Sequence, residues 1–147
     1  MSLTTKSLHP TWPARFVDLG PKFLFVPLRA LADVRAARLD IHVSQAMLEE
    51  GLPARAIFLF APQAYSEDAH YAARMFFDAN GQREDPATGS ANSGLACYLR
   101  EVTGVPFTAI VEQGFEIGRP SRLYLDVGVD QYRVGGKVCL VAEGRLT

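Results

Sequence analysis

The segment Ala91–Leu99 has the composition of a helix but almost no polar face, and this feature constrains the fold more than any other. Of its residues only Asn92 and Ser93 are strongly polar. A helix that is apolar nearly all round is covered on most of its sides by other parts of a protein. Gly104 follows the helical composition and is typical of a helix end. We therefore predict a buried central helix at about residues 89–101.

The start of this helix is a candidate binding site for an anion. The first backbone N–H groups of a helix have no partners within it. Thr88 or Ser90 can cap one of them, and Gly89 leaves room for another group to approach. The remaining N–H groups and the helix dipole, around Ala91, favour a carboxylate.

An acidic residue stands directly before this start. Pro86 disfavours a helical conformation of Asp85 and holds it in extended backbone beside the anion site. A carboxylic acid beside a bound carboxylate is placed to move a proton at a neighbouring carbon. A plainer interpretation stays open, in which Thr88-Gly89-Ser90 is only a cap and Asp85-Pro86 only a turn. The segment is not a phosphate-binding loop of the P-loop type, because it lacks the lysine after the second glycine.

Apolar runs on both sides of the central helix predict a sheet. The interruption of strands by helices indicates an α+β fold. We expect Val134–Lys137 to form the turn between the last two strands. The predicted helices are Ala30–Leu39 and Val43–Glu50, and the predicted strands are Lys22–Leu28, Ala56–Phe60, Tyr71–Phe77, Ile110–Ile117, Arg122–Val129 and Lys137–Glu143.

Length and charge narrow the class of protein. A chain of 147 residues suits one domain, and we divide it into a poorly packed leader at residues 1–15 and a single domain at residues 16–147. The formal net charge of −1 leaves no basic surplus for a nucleic-acid backbone. The longest apolar run, Phe23–Leu28, is too short to cross a membrane. Because Met1–Pro13 has no signal-peptide pattern, we expect a cytoplasmic protein.

The cysteines and histidines do not suggest a metal site. Cys97 and Cys139 are too few for a disulfide framework, and we expect both in the core. His9, His42 and His70 are too scattered for metal-ligand spacing.

Three ordered segments resemble the phenazine-biosynthesis (PhzF-like) isomerase family. The first is Arg83–Ala91, which reads Arg-Glu-Asp-Pro-Ala-Thr-Gly-Ser-Ala. The second is Gln113-Gly114 with Gly118–Ser121, and the third is Val134–Val138 with Gly144–Leu146. The resemblance covers most of the chain and implies a diaminopimelate-epimerase-like fold, in which each of two domains wraps a mixed, barrel-like sheet around a central helix.

The resemblance also implies an active site in the cleft between two such domains, of which this chain looks like the second alone. It implies that Asp85 is catalytic and that no metal and no organic cofactor takes part. It implies a small carboxylic acid as substrate, held by the amides around Gly89 and Ser90. Gln113, Gly114 and Arg119 come from the second segment, and a glycine in a strand suggests a close approach. The full set of expected substrate-binding residues is Thr88, Gly89, Ser90, Ala91, Gln113, Gly114 and Arg119.

One expected part of the site is missing from the sequence. The family's main acid/base is a glutamate of the first domain, beside a Gly-Asn-Pro turn, and neither is found here. Two functions therefore stay open. The chain is either an isomerase whose site is completed by a second copy or by a separate N-terminal-domain chain, or an inactive module that binds a small carboxylate or serves assembly. The identity of the substrate does not follow from the sequence.

Overall fold

The fold is a strongly curled mixed sheet with a long helix against its concave face. The structure, a computed structural model, describes residues 3–53, 56–79 and 82–145. The strand order is β1-β2-β3-β4-β6-β7-β8, and β5 pairs with one edge of β4. The strands are β1 Arg15–Asp18, β2 Lys22–Pro27, β3 Ala56–Ala61, β4 Tyr71–Ala79, β5 Gln82–Asp85, β6 Phe107–Gln113, β7 Ser121–Val127 and β8 Tyr132–Gly136. The helices are α1 Leu31–Ala36, α2 Ile41–Glu49 and α3 Gly89–Thr103, with short 3-10 helices at Thr5–Ser7 and Phe115–Ile117.

The α+β class and the central helix are confirmed. Helix α3 begins at Gly89 as predicted and extends two residues beyond the predicted end, to Thr103. The αL conformation of Gly104 ends it, with φ +76°. None of the helices in the described residues is long and apolar enough to span a membrane.

Two cores lie on the two faces of the sheet, because strand residues alternate between faces. On one face, aromatic and aliphatic side chains pack around α3, with Phe25, Phe58, Phe60, Leu95 and Leu99 fully buried. On the other face, Leu28, Leu59 and Ala61 pack under α1 with Val34 and Ala37. The continuous apolar runs predicted for β2 and β3 follow from this burial on both faces.

The segment before β1 lies along the sheet. Leu8 forms a single antiparallel bridge with Leu28, and Trp12 packs against the core around α3. The Tyr98 hydroxyl donates to the carbonyl oxygen of Pro13 over 2.8 Å. The division into a leader and one domain stays a prediction.

The predicted end of the sheet is wrong. Residues 134–136 belong to strand β8 rather than to a turn, and the expected strand Lys137–Glu143 is absent. These residues are exposed, with relative exposures of 97% at Val138, 82% at Leu140 and 91% at Val141. The apolar composition that predicted a strand therefore finds no partner in the described part of this chain.

Both cysteines are exposed, which corrects the expectation that they lie in the core. Cys97 belongs to a strip of α3 that the sheet leaves open, which consists of Ser90, Ser93 and Cys97. These residues are three and four apart and therefore share one side of the helix. The sheet of this chain covers the opposite side, through β7 and β8 among others.

Candidate functional site

The candidate site forms where two strands end against the same edge of β4. Strand β6 runs parallel to β4 and ends with Gln113 opposite Ala73. Strand β5 runs antiparallel to β4 and ends with Asp85 opposite Met75. The two strands therefore point at each other along one edge, and their last residues meet. This topology brings together two residues that lie 28 positions apart in the sequence.

The pairing with β4 also determines which way the side chains of β5 point. Paired residues on neighbouring strands lie on the same face of a sheet. Asp85 shares the face of Met75, which packs with α3. Glu84 shares the face of Phe76, which packs with α1. Adjacent acidic residues are thus separated, and only Asp85 faces the start of α3.

Thr88 links the Asp85 carboxylate to the helix. Its hydroxyl donates to Asp85 Oδ2 over 2.6 Å. Residue 88 is the N-cap of α3, but its side chain caps no helical N–H, which corrects the expected cap. Ser90 lies inside the first turn and caps none either among the described contacts. Asp85 Oδ1 has no hydrogen-bond partner in the part of the chain that the structure describes.

The side-chain amides of Gln113 and Asn92 donate hydrogen bonds to the turn between Asp85 and Thr88. Gln113 Nε2 donates to the Asp85 carbonyl oxygen over 2.7 Å and to Thr88 Oγ1 over 3.0 Å. Asn92 Nδ2 donates to the Thr88 carbonyl oxygen over 2.9 Å and to Gln113 Oε1 over 3.2 Å. Both amide side chains are completely buried, and Asn92 Oδ1 has no hydrogen-bond partner among the residues that the structure describes. Asn92 is a residue that sequence reasoning treated only as a polar exception on the helix.

The first turn of α3 carries free N–H groups at its open end. The first helical hydrogen bond runs from the Asn92 N–H to the Thr88 carbonyl oxygen over 3.0 Å. Among the described residues, no acceptor is found for the N–H groups of Gly89, Ser90 and Ala91. Gly89 and Ser90 are exposed, and a Cβ added at Gly89 would meet nothing within 4 Å. This end of the helix is therefore open to an anion.

A cleft of about 680 Å³ extends from this helix end across β7 and β8. Its volume is in the range of small-molecule sites. Asp85 does not line it, but Ala87, two residues later, does. The lining residues are Ala87, Gly89, Pro120, Ser121, Arg122, Leu123, Val134, Gly135, Gly136 and Lys137.

The two cations of the cleft differ in their availability. The guanidinium of Arg122 is paired with Glu112 and with Asp68, to which Nη1 donates over 2.9 Å. The hydrogen bonds that the Arg122 guanidinium donates to the Asp68 carboxylate raise the pKa of Arg122 above its ordinary value. Burial raises the pKa of Glu112, but hydrogen bonds from Ser66 and Arg122 outweigh it and lower the pKa overall. Lys137 has no ion pair among the described residues and offers its charge to the cleft.

Gly114 and Arg119 lie beside the site rather than in the cleft. Gly114 follows β6 in a left-handed conformation, with φ +82°, instead of standing within a strand as expected. A Cβ there would lie 2.9 Å from the Pro86 carbonyl oxygen. The Arg119 N–H donates to the Gly114 carbonyl oxygen over 2.9 Å, and the exposed Arg119 side chain does not line the cleft.

The structure thus brings together Asp85, Thr88, Gln113 and the start of α3, and leaves the Arg119 side chain apart. Sequence reasoning missed Lys137, because Gly135-Gly136 before it was interpreted as a turn. Within the described ranges, no group of three or more His, Cys, Asp and Glu side chains is arranged to hold a metal ion. Leu146, the last residue of the third segment of the resemblance, lies outside the described residues.

A family model described as phenazine biosynthesis-like protein (PhzC-PhzF) matches residues 1–144. The chain belongs to this family. Its fold also resembles solved PhzF-family structures. The structure of a predicted epimerase of Pseudomonas aeruginosa matches this fold with a TM-score of 0.72 at 32% identity. The match covers 99% of this chain and 49% of the epimerase chain. A PhzF-family phenazine biosynthesis protein of Bacillus anthracis gives a TM-score of 0.71 at 26% identity, over 87% of this chain and 46% of its own.

Curated members of the PhzF family are similar in sequence. A trans-2,3-dihydro-3-hydroxyanthranilate isomerase of Pseudomonas aeruginosa is 35% identical in an alignment of 142 positions that covers 92% of this chain and 48% of that protein. An uncharacterized isomerase of Mesorhizobium japonicum is 32% identical in an alignment of 146 positions that covers 89% of this chain and 47% of the relative. The chain therefore spans about half the length of the curated relatives it matches.

Proposed function

We propose that this PhzF-family chain provides one wall of a cofactor-independent isomerase site for a small carboxylic acid. A second copy of the chain, or a separate N-terminal-domain chain, supplies the opposite wall. The observation that carries the proposal is the junction of Asp85 with the start of α3 through Thr88, at 2.6 Å. This junction places the carboxylic acid of Asp85 beside the start of α3, where the free N–H groups can bind the carboxylate of a substrate.

The reaction is the removal and return of a proton at a carbon whose bonding electrons can be delocalised toward the substrate carboxylate, either the carbon next to it or one conjugated with it through double bonds. The C–H bond breaks, its proton goes to a carboxylate of the enzyme, and its electron pair is delocalised toward the substrate carboxylate. The N–H groups of Gly89, Ser90 and Ala91 stabilise the negative charge that accumulates there. Return of the proton to the other face, or to another carbon, gives the isomer. Asp85 acts as acid/base from this wall, and an acid of the opposite wall completes the exchange.

The remaining predicted binding residues take two roles in this proposal. Gly89, Ser90 and Ala91 bind the carboxylate through backbone N–H groups, and Lys137 lines the same cleft as Gly89. Thr88, Gln113 and Gly114 lie against the turn that carries Asp85. Arg119 contributes only if assembly brings its exposed side chain to the ligand.

The surfaces left open by this chain support a composite site. The strip Ser90, Ser93 and Cys97 lies on the helix whose first turn borders the cleft. The segment after Lys137 exposes Val138, Leu140 and Val141 almost completely. Contiguous exposed apolar side chains mark interaction surfaces. A symmetric pair would use the same patch twice and place two copies of Asp85 around one cleft.

The test follows proton exchange at carbon. The first probe is trans-2,3-dihydro-3-hydroxyanthranilate, the acid named for the relative from Pseudomonas aeruginosa. The purified chain is incubated with it in deuterated water, and isomerisation and deuterium uptake are followed by NMR. We expect both with the wild type and neither with Asp85→Asn. The substituted amide keeps an oxygen that accepts the Thr88 hydroxyl, so the variant should fold.

Asp126→Asn is the matched control. Asp126 is an exposed carboxylate on β7 with a long ion pair to Arg133 at 3.6 Å, and it does not line the cleft. Its loss should leave deuterium uptake unchanged. Full activity of a folded Asp85→Asn variant would remove Asp85 from the mechanism.

A second candidate function is an inactive module that binds a small carboxylate. One observation favours it: within the described residues, the cleft lining contains Lys137 and Arg122 but no carboxylate. This function predicts binding of the same acid by calorimetry without any deuterium uptake. Gly89→Ala and Lys137→Gln should then weaken binding.

A further inference from the structure

Gln113 is a buried amide that makes three of its four hydrogen bonds to the turn that carries Asp85 and the fourth to Asn92. Its side chain has no exposed surface. Nε2 donates to the Asp85 carbonyl oxygen over 2.7 Å and to Thr88 Oγ1 over 3.0 Å. Oε1 accepts from the Thr88 N–H over 3.3 Å and from Asn92 Nδ2 over 3.2 Å. A glutamine side chain has two donor and two acceptor positions, and here all are occupied.

The orientation of this amide is dictated by its neighbours. The Asp85 carbonyl oxygen can only accept, and the Thr88 N–H can only donate. If the nitrogen and oxygen of the Gln113 amide changed places, the amide oxygen would face the Asp85 carbonyl oxygen and the NH₂ group would face the Thr88 N–H. Neither pair could form a hydrogen bond. The Gln113 amide therefore has one arrangement in which all four of its own hydrogen bonds are made, and the exchanged one leaves donors or acceptors unpaired at a cost.

This arrangement determines the direction of the Thr88 hydroxyl proton. Thr88 Oγ1 accepts a hydrogen bond from Gln113 Nε2, so its own proton must point elsewhere. It points to Asp85 Oδ2, 2.6 Å away. Because an amide does not titrate, Gln113 stays a donor to Thr88 Oγ1 at every pH, and the hydroxyl donates to Asp85 as long as Oδ2 carries no proton. The result is a chain of hydrogen bonds from the end of β6 to the Asp85 carboxylate.

Packing alone does not require this residue. Val111 lies two positions earlier on the same strand, on the same face, and is also fully buried. There an apolar side chain fills the space against α3. A polar side chain at 113 needs four partners, and the fold supplies them all from the Asp85–Thr88 turn and Asn92.

We propose that Gln113 is a positioning residue, which fixes the Asp85–Thr88 turn and makes the Thr88 hydroxyl a donor to Asp85. It does not touch the ligand, which revises the substrate-binding role expected from the sequence. Its effect on turnover rests on the proposed function, whereas its effect on the hydroxyl proton does not.

The experiment is proton NMR of the full chain, with detection of the Thr88 hydroxyl proton. A hydroxyl held in a short, buried hydrogen bond exchanges slowly with water, so we expect a separate resonance in the wild type. The Thr88→Val variant has no hydroxyl group, so the resonance that disappears in it is assigned to the Thr88 hydroxyl proton. Gln113→Met has a similar shape but none of the amide groups, and the resonance should be lost or strongly shifted. Val111→Ala, which only opens a cavity on the same strand, should leave it in place.

Gln113→Glu is the second variant, and it gives the answer if Gln113→Met does not fold. The introduced carboxylate keeps an acceptor for the Thr88 N–H but has no N–H donor, so the Thr88 hydroxyl should turn toward it and away from Asp85. A hydroxyl resonance unchanged in a folded Gln113 variant would overturn the proposal. So would a wild-type Thr88 hydroxyl that exchanges too rapidly to be seen.

The deuterium-uptake assay separates this proposal from the proposed function. We expect the Gln113→Met variant to lower kcat about 100-fold, the effect of a small misplacement of a reacting group. KM should change little, because Gln113 does not contact the ligand. If the wild type alone shows no uptake, the homodimeric form of the proposed function fails while the hydroxyl resonance still decides the role of Gln113. A raised KM at unchanged kcat would contradict positioning and indicate a binding role.

Discussion

Arg74 and Glu84 form a two-pronged ion pair that is almost completely buried beneath α1. Nε and Nη2 of Arg74 lie 2.9 and 2.6 Å from the two carboxylate oxygens of Glu84, and the side chains are 5% and 7% exposed. Arg74 Nη1 also donates to the carbonyl oxygens of Val34 and Ala37, at the end of α1. Because Glu84 precedes Asp85, this pair ties the strand of the candidate site to the opposite face of the sheet.

We therefore expect Glu84→Gln to destabilise the protein by about 3 kcal/mol, because it removes the nearer counter-ion of the buried Arg74. Glu116, whose Oε2 lies 3.7 Å from Arg74 Nε, remains as a second one. Arg74→Met should cost a similar amount, since it also removes donors to α1. The double variant should cost less than the sum of the two, because the partners interact directly. Urea unfolding of all three variants measures these free energies.

The exposed pair Asp126 and Arg133 is the control, with side chains 59% and 70% exposed. Asp126→Asn should change the free energy of unfolding by no more than about 0.5 kcal/mol. A Glu84→Gln variant as stable as this control would show that the buried pair contributes nothing.

The local features of the site were predictable from the sequence, because they depend on short-range chemistry. Pro86 requires extended backbone before it, and Asp85 ends a strand. The small, apolar composition after Gly89 predicts a helix that packs closely, and Gly94 contacts Phe25 and Leu19 so tightly that a Cβ would lie 2.8 Å from the Phe25 ring.

The meeting of β5 and β6 was not predictable in this way. Their ends come together only because both strands pair with one edge of β4, in opposite directions. No local pattern encodes that choice. The role of Gln113 and the contacts of Asn92 depend on it, which is why sequence reasoning placed Gln113 with the ligand and did not single out Asn92.

The errors at Cys97 and at residues 137–143 have a common physical reason. Apolar composition predicts that a segment is covered, but it does not say by which chain. The described sheet packs against one side of α3 and leaves Cys97 exposed. Val138 and Leu140 are also exposed, since none of the described residues packs over them.

Gly114 is the glycine whose replacement should affect the site most. Its φ of +82° disfavours other residues, and a Cβ would collide with the Arg119 carbonyl oxygen and lie 3.0 Å from Pro86 Cα. Gly114→Ala should therefore cost about 1–2 kcal/mol for the conformation and about 1–3 kcal/mol more for overpacking. Thermal and urea unfolding measure the loss.

A substitution at Gly118 separates the conformational cost from the cost of overpacking. It has φ +68°, but a Cβ there would meet nothing within 4 Å. Gly118→Ala should show only the conformational cost of about 1–2 kcal/mol. Equal losses at both glycines would mean that the contact with Pro86 relaxes freely.

His9 should make stability depend on pH. Its Nδ1 accepts the Trp12 N–H over 3.1 Å, which requires an unprotonated nitrogen. Burial, and then the charge of Arg29, lower the pKa of His9 below 6.5. The unfolded chain therefore binds a proton more readily, so stability is complete above pH 6.5 and falls as the pH drops through the folded-state pKa.

Urea unfolding at several pH values between about 5 and 8 measures this dependence. His9→Asn keeps an acceptor near the Trp12 N–H but does not titrate, so its stability should fall less at low pH. An identical pH profile for the variant and the wild type would assign the dependence to other groups.

Cys97 reports on whether a second chain covers the open strip of α3. If a second copy supplies the opposite wall, light scattering should give twice the chain mass of 16.1 kDa at high concentration and the single mass on dilution. Cys97 is exposed in the single chain and should react rapidly with a maleimide there. Its labelling should slow as the mass doubles, because the partner covers Ser93 and Cys97. Cys139→Ser and Cys97→Ser, each with one remaining thiol, resolve the two rates by mass spectrometry. A chain that keeps the single mass at every concentration, with Cys97 always reactive, would exclude a homodimeric site and leave a separate N-terminal-domain chain as the source of the opposite wall.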